Sequence, residues 1–330
     1  MSRFITSLFV FGLAMQAVSA FAMVERRIER TFDVPLGAEL RVNTVSGLVN
    51  VIAVPFAKTI EVSVIQTAPV DTEAQMDKRL RAIVLDMKQD GGVVSIKAKS
   101  RWPIIPFWVT SPPVTLTYVI KVPPRCDVTV TTSDANIEIG ELRGRMTLNN
   151  EKGNIFTAAI DGPVTAKTRG GSIAITAATG PISAHTALGE ITVGRSGSSA
   201  LLVTKGGYIE LQRASGAVTV KSNGSGAAVG FVTPIQFPAT ISTSGGDVAL
   251  SLDSDSNANL DLKASVFGEI TLKGPLPFKV TGGSVGSSSL KGMVNQGGSP
   301  ITVDASGGSI EVQGFAPILD PIKTTAATTH

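Results

Sequence analysis

Between residues 126 and 224 the chain repeats itself every 18 residues without an insertion. Ile137, Ile155, Ile173, Ile191 and Ile209 fall on one column at that step, and Gly153, Gly171, Gly189 and Gly207 on another. A second glycine column runs Gly144, Gly162, Gly180 and Gly216, with Ser198 as its exception. Two apolar columns run Met146, Val164, Ile182, Ala200, Val218 and Leu148, Ala166, Ala184, Leu202, Val220. A fixed short period constrains the fold more than any other feature. A unit this small cannot bury its own apolar face and must stack on its neighbours, which makes a solenoid.

The unit is β. Apolar residues alternate within each copy (Val164 and Ala166, then Ile173 and Ile175), and many are β-branched, the pattern of a half-buried strand. The glycine columns fall between strands, where tolerance of positive φ suits a sharp corner. Each coil therefore holds two main strands and a short third face near Leu142, Ile160 and Ala178, with coils stacked in parallel ~4.8 Å apart. A polar column, Thr132, Asn150, Thr168, Thr186, Thr204 and Ser222, sits at one corner. The expectation is a ladder in which each side chain donates to the next coil and accepts from the previous one.

The remaining chain is less regular. Residues 31–54 have the same strand–glycine–strand grammar around Gly47 and read as the first coil. Residues 72–83 read as a short charged helix, 93–99 and 114–122 as strands, and 55–125 as a non-repetitive part covering the N-terminal end. Beyond 224 the period loosens, but 242–253, 262–274 and 302–314 keep the strand–glycine–strand signature. The Gly/Ser-rich run 282–299 reads as a flexible loop, 315–319 as a cover for the C-terminal end and 323–330 as a disordered tail.

Residues 1–22 have the plan of a secretory signal peptide. Arg3 precedes an apolar run over 4–18, and small residues allow cleavage after Ala20 or Ala22. The division expected is 1–22 signal peptide, 23–125 first coil and capping part, 126–314 solenoid, and 315–330 cap and tail. No later segment is long enough to span a membrane as a helix. A net charge of +3, scattered along the chain, does not suggest nucleic-acid binding. The run 25–30 mixes three Arg with two Glu and reads as a solvated N-terminal segment. Cys126 is the only cysteine, so no internal disulfide is possible, and its place at the start of a strand suits a small buried residue.

The pattern F-x-V-P-x-G-x-x-L over 32–40, the repeated S/T-x-x-G-x-I corners and the closing SGGSIEV of 306–312 resemble the bacterial family named "putative adhesin". The resemblance covers roughly 31–314. It implies a right-handed parallel β-solenoid with a variable N-terminal part, exported to the periplasm or the cell surface, and it brings no catalytic motif. Bactofilin-type polymerising β-helices are cousins in period, but they are typically cytoplasmic, and the export signal argues against them.

Chemistry-bearing residues are few. His185 shares an outward column with Lys167 and reads as solvent-facing; His330 ends the tail. No metal, phosphate-loop or nucleophile motif occurs, and no cofactor is expected. Glu190 and Glu210 are the best outward acid pair, roughly 8 Å apart by strand geometry, with Tyr208 directly above Glu190. That spacing would suit an inverting glycosidase, but the face offers no third acid. Residues 101–113 hold both tryptophans. Trp102, Ile104, Ile105, Phe107 and Trp108 either cap the stack or form a contact for a sugar, lipid or partner protein. The expected function is a non-enzymatic, monomeric scaffold or adhesin-like module binding an envelope protein or glycan. The alternatives are a self-assembling envelope protein and a polysaccharide-active enzyme using Glu190 and Glu210.

Overall fold

Strands that bury every second side chain can be satisfied on both edges only by stacking, and stacking is what the chain does. The computed structural model describes residues 23–100 and 114–315. The N-terminal part comprises β1 (Met23–Asp33), β2 (Ala38–Ala53), β3 (Thr59–Pro69), helix α1 (Glu73–Leu80), β4 (Ile83–Asp90), β5 (Val93–Ser100) and β6 (Thr115–Val122). The regular coils follow: β7 (Cys126–Ile139), β8 (Leu142–Arg143), β9 (Met146–Asn150), β10 (Ile155–Asp161), β11 (Val164–Lys167), β12 (Ile173–Ala178), β13 (Ile182–Thr186) and β14 (Ile191–Ser196). They continue through β15 (Ala200–Thr204), β16 (Ile209–Ala214), β17 (Val218–Ser222), β18 (Ala227–Phe231), β19 (Ala239–Thr243) and β20 (Val248–Asp253). Last come β21 (Ala258–Ala264), β22 (Ile270–Lys273), β23 (Phe278–Gly283), β24 (Ser289–Val294), β25 (Ser299–Ala305) and β26 (Ile310–Phe315).

Each regular coil gives one strand to each of two parallel ladders. The first half of β7 leads through β9, β11, β13, β15 and β17 to β19. The second half leads through β10, β12, β14, β16 and β18 to β20. The isoleucine column from Ile137 to Ile209 points inward, none of its members more than 1% exposed. Burying each such side chain is worth ~1.5–3 kcal/mol. The short third face exists: β8 pairs with the end of β10, and Leu142, Ile160 and Ala178 are buried along it. The loosening after 224 begins as an insertion of three residues, since Val218 pairs with Ala239, 21 positions on.

The polar corner departs from the expected ladder. Thr168 Oγ1 donates to the Gly153 carbonyl of the previous coil (3.1 Å) and accepts from the Gly171 amide of its own (3.3 Å). Thr186 repeats this with Gly171 and Gly189, and Thr204 with Gly189 and Gly207. The hydroxyls thus bracket glycine backbone to glycine backbone, and side chain does not bond to side chain. Tight corners leave main-chain donors and acceptors unpaired, and these must be satisfied first. Thr132, on the first regular coil where it stacks against β2, is the member whose buried hydroxyl finds no partner.

The same corner corrects the account of the glycines. Gly144 and Gly162 do have positive φ, +146° and +155°. The Gly153 column does not; there a Cβ on Gly171 would overlap the Gly153 carbonyl oxygen, and Gly189 and Gly207 repeat the clash one coil further on. Close approach of stacked backbones, not handedness of the turn, demands glycine.

Both ends of the stack are built out of chain order. At the N-terminal end β2 does not lie outermost. It sits between β7 on one side and β5 and β6, from within 55–125, on the other. Beyond β5 and β6 the direction reverses: β4 pairs antiparallel with β5, β3 with β6, and β1 with β3. Residues 25–30 belong to edge strand β1, held by pairing along β3, with Glu25, Arg27, Glu29 and Arg30 exposed to solvent. Its Arg26 reaches Glu73 and Asp77 of α1, each at 2.9 Å. Thr72 Oγ1 caps that helix by accepting from the Gln75 amide, and Met76 is its buried residue.

At the other end β25 stacks on β19 and β26 on β20, while β21 and β22 stack outside them. The chain builds its outermost coil first and then returns to slide the last coil beneath it. Strand β24 runs antiparallel on β21, and β23 antiparallel on β24. The run 282–299 is thus not a flexible loop: it contains β24, whose Leu290 and Val294 are fully buried. The expected cover at 315–319 lies beyond the described residues except for Phe315, which is 42% exposed.

Candidate functional site

Where a column changes from large to small residues, a stacked coil opens a groove. Along the bend after the third face one column reads Ala159, Ala177, Arg195, Arg213, in register from β10 to β16. The neighbouring column reads Arg125, Arg143, Asp161, Thr179, Gly197, Ser215. Alanine, glycine and serine leave a concave floor, and arginines stand at both ends. The groove has a volume of about 720 Å³, and Arg125, Arg143 and Arg195 line it with the acids Glu141 and Asp161. Asp161 is engaged: Thr179 Oγ1 donates to it at 2.8 Å and Arg143 Nε at 2.7 Å. These two bonds, the threonine's first, hold its carboxyl below the usual range.

A second cleft, about 690 Å³, opens on the outer face of the other ladder between Tyr208 and Lys273. Gly226 and Ala249 form its floor, and Asp247, Glu269 and Glu311 stand on its walls. The register places Glu210 one coil beyond Glu190 and two residues along, as the sequence indicated, with Tyr208 above Glu190. Neither Glu190 nor Glu210 lines this cleft. Glu210 accepts a bond from Gln212 (3.0 Å), and Glu190 is exposed. The expectation that the face holds no third acid is corrected by Asp247 and Glu269. They enter the Glu190 column only after the three-residue insertion and the out-of-order coils, so spacing did not reveal them. Asp247 Oδ1 accepts from the Ser309 amide at 2.7 Å, which ties one coil to the next. Burial first, then Glu210 and Asp247, raise the Tyr208 phenol above its ordinary pKa.

Trp102, Phe107 and Trp108 lie outside the described residues. His185 faces outward beside Lys167, its Nε2 3.1 Å from Ser183 Oγ. Burial, then Lys167, lowers its pKa. Cys126 is buried and free, and burial pushes its thiol up to about 12. No cluster of metal-ligating residues occurs among the described residues, nor any helix long and apolar enough to cross a membrane.

The family model described as Toastrack DUF4097 matches residues 49–313. No curated protein matches the chain. Several solved structures are similar to it, among them the following three. A "putative adhesin" from Bacteroides fragilis is 10% identical with a TM-score of 0.36, over 88% of this chain and 97% of its own. A "putative cell adhesion protein" from Clostridium sporogenes is 10% identical with a TM-score of 0.20, over 88% and 100%. A "putative lipid binding protein" from Parabacteroides distasonis is 14% identical with a TM-score of 0.39, over 86% and 96%.

Proposed function

The chain belongs to the Toastrack DUF4097 family, and on that footing we propose that it is an exported, non-enzymatic β-solenoid scaffold. In this reading it works as an adhesin-like binding module of the bacterial envelope, in the periplasm or at the surface. Residues 1–22 are removed on export, 23–125 cover one end, and 126–314 form the binding rod. The partner is an envelope protein or a glycan, and the working form is a monomer.

One observation supports this reading above the others: both ends of the rod are closed. An open parallel coil would present a row of unpaired N–H and C=O groups and recruit another chain. Here three of the outer strands, β1, β4 and β23, are antiparallel, β22 is a parallel one, and all four are guarded. Strand β1 carries Arg26, Arg27 and Arg30 with Glu25 and Glu29, β4 carries Asp86 and Lys88, β22 has only four residues, and β23 breaks register between Val280 and Gly282. Charge, shortness and irregularity are the devices that blunt an edge. A rod of fixed length leaves its outer columns as the working surface, which favours binding over coil-on-coil polymerisation.

The test combines light scattering of mature chain 23–330 across a dilution series with binding of labelled protein to isolated envelopes. A concentration-independent monomer that binds saturably supports the scaffold reading. Filaments would favour the self-assembling alternative, and a monomer with no envelope binding would sink the adhesin-like one.

A further inference from the structure

We propose that the arginine-ended groove along the third face is a binding site for an acidic glycan, laid parallel to the solenoid axis. The inference rests on the adhesin-like reading and names its site and ligand class.

Three features point the same way. The groove runs across coils, so anything filling it meets a repeating floor at rung spacing, ~4.8 Å. A pyranose in an extended chain advances by about one rung, so one sugar lies over each coil. The floor of Ala159, Ala177 and Gly197 has no bulky side chain to displace, and it offers a shallow apolar surface to the C–H face of a ring.

The charges stand at the ends. Arg125 and Arg143 occupy adjacent rungs at one end, joined by a parallel β-bridge, and Arg195 and Arg213 are paired in register at the other. From Arg143 to the rung of Arg195 is three coils, about 14 Å. A guanidinium fork reads a planar carboxylate through two parallel N–H bonds, which a lysine cannot do. Asp161 does not cancel this arrangement, because Arg143 and Thr179 already satisfy it and Arg125 and Arg195 remain directed to the groove.

The shape selects among polyanions. A lipid surface is flat and would not reach a recessed floor. A nucleic acid strand would need aromatic stacking platforms, and no aromatic residue lines this groove. A uronate-bearing chain fits the length, the floor and the carboxylate-reading ends.

The probe is a defined oligogalacturonate of four to six sugars, with its methyl ester as the neutral counterpart, titrated calorimetrically against mature chain at low and high salt. The acid form is expected to bind and to weaken with salt, and the ester to fail. Arg195→Gln should weaken binding tenfold or more, with Arg195→Lys restoring only part. Lys279→Gln on β23, remote from the groove, should change nothing. Circular dichroism melts of each variant show that the fold is kept; Arg195 is exposed, so the melts should coincide. Equal binding of the ester, no binding of the acid, or full affinity in Arg195→Gln would each overturn the proposal. Envelope binding measured on the same variants separates the two levels. Parent and Arg195→Gln binding envelopes equally would remove this groove and leave the adhesin-like reading; loss by the parent itself would remove both.

Discussion

Gly170 and Gly171 are neighbours in the chain, identical in composition and opposite in role. A Cβ on Gly170 would meet nothing nearer than 3.6 Å, an ordinary contact, and the residue is exposed. On Gly171 it would overlap the Gly153 carbonyl oxygen and lie 2.9 Å from the Asn154 amide nitrogen, both main-chain atoms of the coil beneath. To restore contact near 3.4 Å, one coil must lift from the next by about 1 Å of its ~4.8 Å spacing. That movement breaks the half of the bracket that crosses the gap, the bond from Thr168 Oγ1 to the Gly153 carbonyl. Forced overpacking costs about 1–3 kcal/mol. Stranding a buried hydroxyl costs about 1–3 kcal/mol more. Gly171→Ala is therefore expected to lose about 3–5 kcal/mol, roughly 10 °C in Tm for a domain of this size. Gly170→Ala, a solvent-facing change, should stay within about 2 °C. Thermal melts of the two variants beside the parent decide it. Equal melts, or a larger loss at Gly170, would refute the close-approach account of the column.

Ile173 lies between Ile155 and Ile191 at 1% exposure, so Ile173→Asp should cost about 3–5 kcal/mol by burying an unpaired carboxylate, while outward Thr165→Asp should cost under about 1 kcal/mol in urea unfolding. Cys126 and Tyr118 both have pKa values raised to about 12 by burial, so both stay neutral when folded and ionise earlier when unfolded. Stability is then unaffected below about pH 8 and falls as pH rises through the window up to about 12. Cys126→Ala should shrink the loss between pH 8 and 10.5 by on the order of 2 kcal/mol, and the native thiol should resist thiol reagents at pH 8. Glu190→Gln and Glu210→Gln should leave envelope binding unchanged; loss in both with folding intact would revive the enzyme alternative.

The coil itself was legible because a stacked repeat writes its register into the sequence: every inward column could be read at a step of 18 and is found in that register. What lay beyond reading was anything that stacks out of order. β26 lies 62 positions beyond its partner on β20, with a further coil inserted between them in sequence, so no period connects Val248 to Ile310. Strand β24 was hidden by glycines and serines, because two buried side chains, Leu290 and Val294, suffice once β21 pairs along it. Strand β1 was hidden by its charges, which are those of a solvated segment and serve also as edge protection. The groove escaped because it is made of absences. Ala159, Ala177 and Gly197 carry no chemistry, and only their alignment between Arg143 and Arg195 forms a surface.

The central claim is a rod closed at both ends by strands placed out of chain order, and three double-cysteine variants in a Cys126→Ala background test it directly. Ala249 and Glu311 are in register on adjacent strands, as are Glu311 and Thr271, while Ala249 and Thr271 are two rungs apart. A disulfide needs Cα atoms within about 7 Å, and two rungs span about 9–10 Å. Under mild oxidation, Ala249→Cys/Glu311→Cys and Thr271→Cys/Glu311→Cys should crosslink within the chain, and Ala249→Cys/Thr271→Cys should stay reduced. Crosslinking of Ala249→Cys/Thr271→Cys, with Thr271→Cys/Glu311→Cys remaining reduced, would mean that the coils stack in chain order and would contradict the account.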